Sequence, residues 1–270
     1  MKELLFNFNY MVKKREFYFA IISIFLINIV HVVFCVFDTN RLNYFVENCF
    51  TGEYQFILYN AHVMFNVLII IAFPIILALV FSDSSWLEHK NKTINLLNTR
   101  FNYKRNIIIR TLLSFFMTFI IAFVGFILNY LLLRIIYDTG NHVTYFQSLS
   151  FNLEINNDWF FDTLRIANPS LFVVVISCLV SITLGLLSAL SYLLSFFVKQ
   201  RVVIYFIPLV FLISSELIFS IFDVNTISFI SMLQPFSKLS TYGFVYGALI
   251  LLCLNIILLF INLRKKDVLV

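Results

Sequence analysis

Apolar residues in this chain gather into six long runs, at about 17–37, 62–82, 111–136, 170–197, 202–222 and 243–263, and the segments between them hold nearly all the charge. Each run is close to the ~20 residues that an α-helix needs to cross a bilayer, and none alternates with the period of a strand. The pattern predicts an all-α polytopic membrane protein with six transmembrane helices, forming one transmembrane unit over 1–270. Lys13-Lys14-Arg15 precedes a first run of full spanning length with no A-x-A-like site after it, so that run reads as a retained anchor and not as a cleaved signal.

Three segments outside the runs carry patterns of their own. Residues 1–16 set Leu4, Leu5, Phe8 and Met11 at helical spacing ahead of the basic triplet, as in a helix lying in the membrane interface. Residues 83–110 are far longer than a simple connector requires. Within them, apolar Leu87, Ile94, Leu97 and Phe101 and polar Glu88, Lys90, Lys92 and Arg100 predict a short amphipathic helix over 86–97. That helix either docks into a groove on a cytoplasmic partner or rests on lipid; a basic lead into the third run follows it. Residues 223–242 are apolar but broken by Gln234-Pro235, which predicts either a segment that enters the bilayer and returns or an ordinary outer loop.

With 61% hydrophobic and 12% charged residues and a mean hydropathy of +0.94, the chain could not cover a surface with polar groups, which excludes a water-soluble fold. Charge adds an orientation. Placing the N-terminus, the second and fourth loops and the tail on one side leaves Arg41, Arg134, Arg165 and Lys238, of 19 basic residues, for the other. The positive-inside rule then puts both termini in the cytoplasm. The net charge of +5 is therefore a topology signal; spread over every inner loop, it forms no stripe for nucleic acid.

Candidate chemistry is sparse. None of the six glycines sits in a GxxxxGK[ST] loop, so no nucleotide site is expected, and the chain has no HExxH, GxSxG or CxxC. No catalytic, metal-binding or cofactor-binding residue is expected. Cys35, Cys178 and Cys253 fall in apolar runs and read as buried thiols, a Cys35–Cys49 disulfide being the alternative. Glu216 is the one acid inside a predicted span, an expensive position. It is either a group on a translocation path that meets a cationic substrate, or a carboxylate capped by Ser214, Ser215 or the backbone of 223–242. Pro74 and Pro208 each remove a helical hydrogen bond and kink the second and fifth runs, as hinges or as static bends. Asn28, His31, Asn66, Asn129 and Asn255 read as interhelical hydrogen-bonding groups, and Gly185 with its neighbouring serines as a face for close helix contact.

Glu88, Lys92-Thr93, Leu96-Leu97, Lys104 and Arg110, in that order before the third run, resemble the inner loop of ABC-2-type transporter permeases. The resemblance implies a six-span subunit whose energy source is a separate ABC ATPase, present in two copies, that binds the ATP. It also implies a second permease copy, as a homo- or heterodimer, and a place in the bacterial cytoplasmic membrane. Trp86, Leu87, Glu88, Thr93, Ile94, Leu96 and Leu97 would form the ATPase-coupling helix, with Glu88 paired to a basic residue of the ATPase and Ile94 and Leu97 in its groove. Asn66, Pro74, Pro208 and Glu216 would border the translocation path. The implied function is export of a hydrophobic or amphipathic substrate, such as an antimicrobial or toxin peptide or a drug. An ATP-independent membrane immunity or assembly protein that binds a peptide is the alternative, and an intramembrane enzyme lacks the cluster that catalysis needs.

Overall fold

The computed structural model describes residues 2–41, 56–58, 63–91, 102–137, 161–222, 227–234 and 241–264, and every regular element among them is a helix. In chain order these are α1 (Lys2–Val12), α2 (Arg15–Arg41), α3 (Val63–Ala78), α4 (Ser84–Lys90), α5 (Tyr103–Ile136), α6 (Asp162–Ala167), α7 (Pro169–Leu194), α8 (Arg201–Ile221), α9 (Phe229–Leu233) and α10 (Thr241–Arg264). Five of them, α2, α5, α7, α8 and α10, are long and apolar enough to cross a membrane. The chain is thus a polytopic helical membrane protein.

Two of the predicted runs differ from the helices that form. The second was expected over 62–82, but α3 has 16 residues, or ~24 Å against a ~30 Å hydrocarbon layer, and gives way to a turn over 79–83. The third begins eight residues earlier than its apolar run, so the basic lead is helix. Asn102 caps it, its side chain accepting the Lys104 N–H at 3.1 Å, and α5 runs for 34 residues, ~51 Å. Most of its first two turns therefore project beyond the hydrocarbon.

Side-chain contacts give the helix directions. On α2 and α5, Asn28 lies beside Gly125, His31 meets Asn129, and Val32 and Cys35 pack on Leu133, so the two run parallel. On α5 and α7, Phe115 lies against Gly185, where a Cβ would come within 2.9 Å of its ring, while Ile107 packs with Tyr192 and Leu193, so these run antiparallel. Asn255 and Asn262 of α10 donate to the Leu186 and Leu193 carbonyls of α7 at 3.2 and 2.9 Å, a matched seven-residue step that makes α7 and α10 parallel. α7 is the hub, packing on α3, α5, α8 and α10. At one end of the bundle, therefore, α2, α5 and α8 begin and α7 and α10 finish.

α1 lies at that end with its polarity reversed from ordinary globular packing. Asn7 and Met11 face inward and are fully buried, whereas Leu4, Leu5, Phe6 and Phe8 face outward. Apolar side chains facing outward are the economical arrangement where the surroundings are lipid.

Candidate functional site

The end of the bundle where α2, α5 and α8 begin holds a buried network of full charges. Its centre is Asp83, at the close of the turn between α3 and α4 and 0% exposed. Oδ1 accepts from Lys14 Nζ at 2.8 Å, while Oδ2 accepts from Tyr205 Oη and Arg201 Nε, each at 2.9 Å. Arg201 also pairs with Glu16. Lys14 sits in the break between α1 and α2, with its ammonium over the rings of Tyr10 and Phe81 at 5.2 and 5.3 Å. Three chain breaks thus meet near one carboxylate: the α1–α2 break, the α3–α4 turn and, through Arg201, the α7–α8 turn.

A second group adjoins it on α4. Glu88, 6% exposed, forms a two-pronged pair with Arg110 of α5, which is 2% exposed. Arg110 Nε donates to Asn7 Oδ1 at 2.8 Å, and Asn7 Nδ2 donates to Asn106 Oδ1 at 2.8 Å, drawing α1 onto α5. α4 is held from its other side as well. Ser85 bonds Ser195, and Trp86 Nε1 donates to the Lys199 carbonyl at 2.8 Å, which anchors α4 to the α7–α8 turn. Lys90 lies over the Trp86 ring at 5.1 Å.

Among the described residues, Lys14, Arg110 and Arg201 are matched in number by Glu16, Asp83 and Glu88. Burial acts to raise the Asp83 pKa, but Lys14, Tyr205 and Arg201 outweigh it and hold the carboxyl below its ordinary value. Burial dominates at Lys14, whose pKa lies below the usual lysine value in spite of Asp83. The network makes the ends of α1, α2, α5 and α8 follow the position of α4.

The residues expected from the sequence distribute as follows. Trp86 and Leu87 are half-buried on α4, and Glu88 turns inward to Arg110. Thr93, Ile94, Leu96 and Leu97 lie outside the described residues. Glu216 Oε1 accepts from Ser228 Oγ at 2.6 Å and from the Ile230 N–H at 3.0 Å at the start of the short α9, whereas Ser214 and Ser215 donate to the Phe211 and Leu212 carbonyls of their own helix. Pro74 and Pro208 are buried in α3 and α8, which pack together, and Asn66 is half-buried on α3. Cys35 is buried as expected, but Cys178 is half-buried and Cys253 exposed on the outside of the bundle, and Cys49 lies outside the described residues. Among the described residues no cluster of His, Cys, Asp or Glu is placed to hold a metal ion.

Sequence reasoning missed Asp83, Lys14, Glu16, Asn7, Asn106, Arg201 and Tyr205 as a group. Lys14, Arg110 and Arg201 entered it as topology charges. The available signal was Asp83 itself, an acid abutting the second apolar run between Ser82 and Ser84-Ser85. Comparison with protein-family models, with curated proteins and with solved structures gives no match.

Proposed function

We propose that this chain is the membrane permease subunit of an ABC exporter of the ABC-2 type, driven by a separate ATPase. In this reading α3 and its following turn complete a sixth span, and both termini lie in the cytoplasm of a bacterium. The 223–242 segment is re-entrant, with α9 seated on Phe211 and Phe219 of α8 and on Gly247 of α10. Two ATPase copies serve two permease copies, identical or not, and the cargo is hydrophobic or amphipathic. The observation that carries the reading is the attachment of α4. It opens the long inner loop and is fastened by Asp83 and Glu88 to the starts of α2, α5 and α8, so a partner that displaces the loop displaces those helices.

The test is affinity purification of the tagged full chain from native membranes, followed by identification of what accompanies it. A chain carrying GxxxxGK[ST] should copurify, and an Ile94→Asp, Leu97→Asp variant that still inserts should lose it. Purification of a functional chain without any ATPase overturns the reading in favour of an ATP-independent immunity or assembly protein.

A further inference from the structure

The α1–α2 break carries three consecutive cations, and the middle one turns inward. Lys14 enters the bundle to meet Asp83, while Lys13 and Arg15 stay exposed on either side of it. Neither of these two forms an ion pair among the described residues. The described acids at this end are already engaged: Glu3 with Arg105, Glu16 with Arg201, Asp83 with Lys14 and Arg201, and Glu88 with Arg110.

Exposed apolar surface adjoins the two cations on both helices. On α2, Tyr18, Phe19 and Ile22 follow Arg15 at helical spacing, on one face, and are 52, 59 and 62% exposed. On α1, Leu4, Leu5 and Phe8 face outward ahead of Lys13. Because α2 crosses the membrane, its exposed face meets acyl chains, and Arg15 at its first position stands level with the headgroups. Positive charge thus lies where a phospholipid carries its phosphate, and apolar surface lies where its chains run.

We propose that the α1–α2 break is a docking site for an anionic phospholipid, its phosphate between Lys13 and Arg15 and its chains along Tyr18, Phe19 and Ile22. Charge selects this occupant. A zwitterionic lipid brings a cation of its own to the same place, whereas each Lys or Arg near the surface favours an anionic one by about fivefold. Lys14 lies between the two cations, so the lipid braces the break at the residue that reaches Asp83. The site stands on its own geometry and holds whether or not the chain is a permease.

Native mass spectrometry of the full chain, extracted from vesicles of equal parts phosphatidylglycerol and phosphatidylcholine, tests it. The native chain should retain phosphatidylglycerol over phosphatidylcholine by about tenfold or more, since two cations act together. Lys13→Gln with Arg15→Gln should reduce that preference to about twofold or less, whereas Lys13→Arg with Arg15→Lys, which keeps both charges, should retain it. Arg264→Gln, which removes an exposed cation from the end of α10, should leave it unchanged. Added phosphatidylglycerol should also raise the unfolding temperature of the native chain in detergent, and inorganic phosphate at the same concentration should not. Equal retention of the two lipids by the native chain overturns the site. So does a preference that survives loss of both charges, is lost when both are kept, or falls equally in Arg264→Gln. Stabilisation by inorganic phosphate alone contradicts a lipid as the occupant.

Discussion

The polar clusters at the two ends of the bundle use different chemistry for a similar task. Around Asp83 six charged side chains hold α4 against the starts of α2, α5 and α8 and the end of α1; around Asn129 one amide, with His31 beside it, holds the three residues 56–58 against α2 and α5. Charges removed from water bind their partners strongly but are costly when a partner is lost, whereas neutral hydrogen bonds lose less and reverse more readily. The first end is joined by charged pairs, the second by an amide and apolar burial.

Breaking the charged end should have the largest effect. Asp83→Asn leaves the Lys14 ammonium buried without its counter-charge, and a loss of about 3–5 kcal/mol is expected, read as a large fall in the thermal unfolding temperature in detergent. Arg110→Met removes the two-pronged partner of Glu88 and should approach the same cost. Adding Glu88→Leu should then recover most of it, since an apolar pair of similar size replaces a compensated ion pair at little loss. A double variant no more stable than Arg110→Met would show that the pair does not act as a unit.

At the neutral end the effects should be smaller. Asn129→Leu removes the acceptor of the Ile57 N–H and should cost about 1–3 kcal/mol, with the exchange protection of 56–58 lost. Smaller still should be Gly247→Ala. Its Cβ would come 2.5 Å from Met232 Sδ, in a flexible side chain that can turn aside. A cost under ~1 kcal/mol is expected there, against about 1–3 for Gly185→Ala, where the obstruction includes the Phe115 backbone.

Acidity acts on the charged end in two senses. The folded pKa of Asp83 lies below its unfolded value of ~3.9, so its contribution is fully present above that value and drains away as pH falls through the folded one. Between about pH 5 and pH 8 the Asp83 contribution should therefore stay constant. Lys14 has the opposite sense: its lowered folded pKa leaves the unfolded chain with the extra proton, so stability gains as pH rises toward ~10.4. Thermal unfolding followed from about pH 3 to about pH 10 checks both signs.

The five long helices were legible because ~20 apolar residues in a row have few other fates. What stayed hidden depended on which way side chains face. Leu4, Leu5 and Phe8 suggested a conventional amphipathic helix, but the pattern did not show that Asn7, between them, is the residue that enters the core. Arg110 read as a loop charge because the helix it belongs to starts outside the apolar run. Glu88 read as a surface acid because its partner lies 22 residues away and a helix packing had to bring them together. The burial of Phe56, Ile57 and Leu58 was not anticipated at all, since a three-residue apolar stretch is too short to stand out among so many phenylalanines.

The central claim is that the chain breaks around Asp83 are joined as one unit, and a double-mutant cycle on Asp83→Asn and Lys14→Met tests it most directly. If the α1–α2 break and the α3–α4 turn are coupled through this pair, the double variant should be more stable than the sum of the single losses by more than ~1 kcal/mol. Losses that add to within ~0.5 kcal/mol would contradict the account.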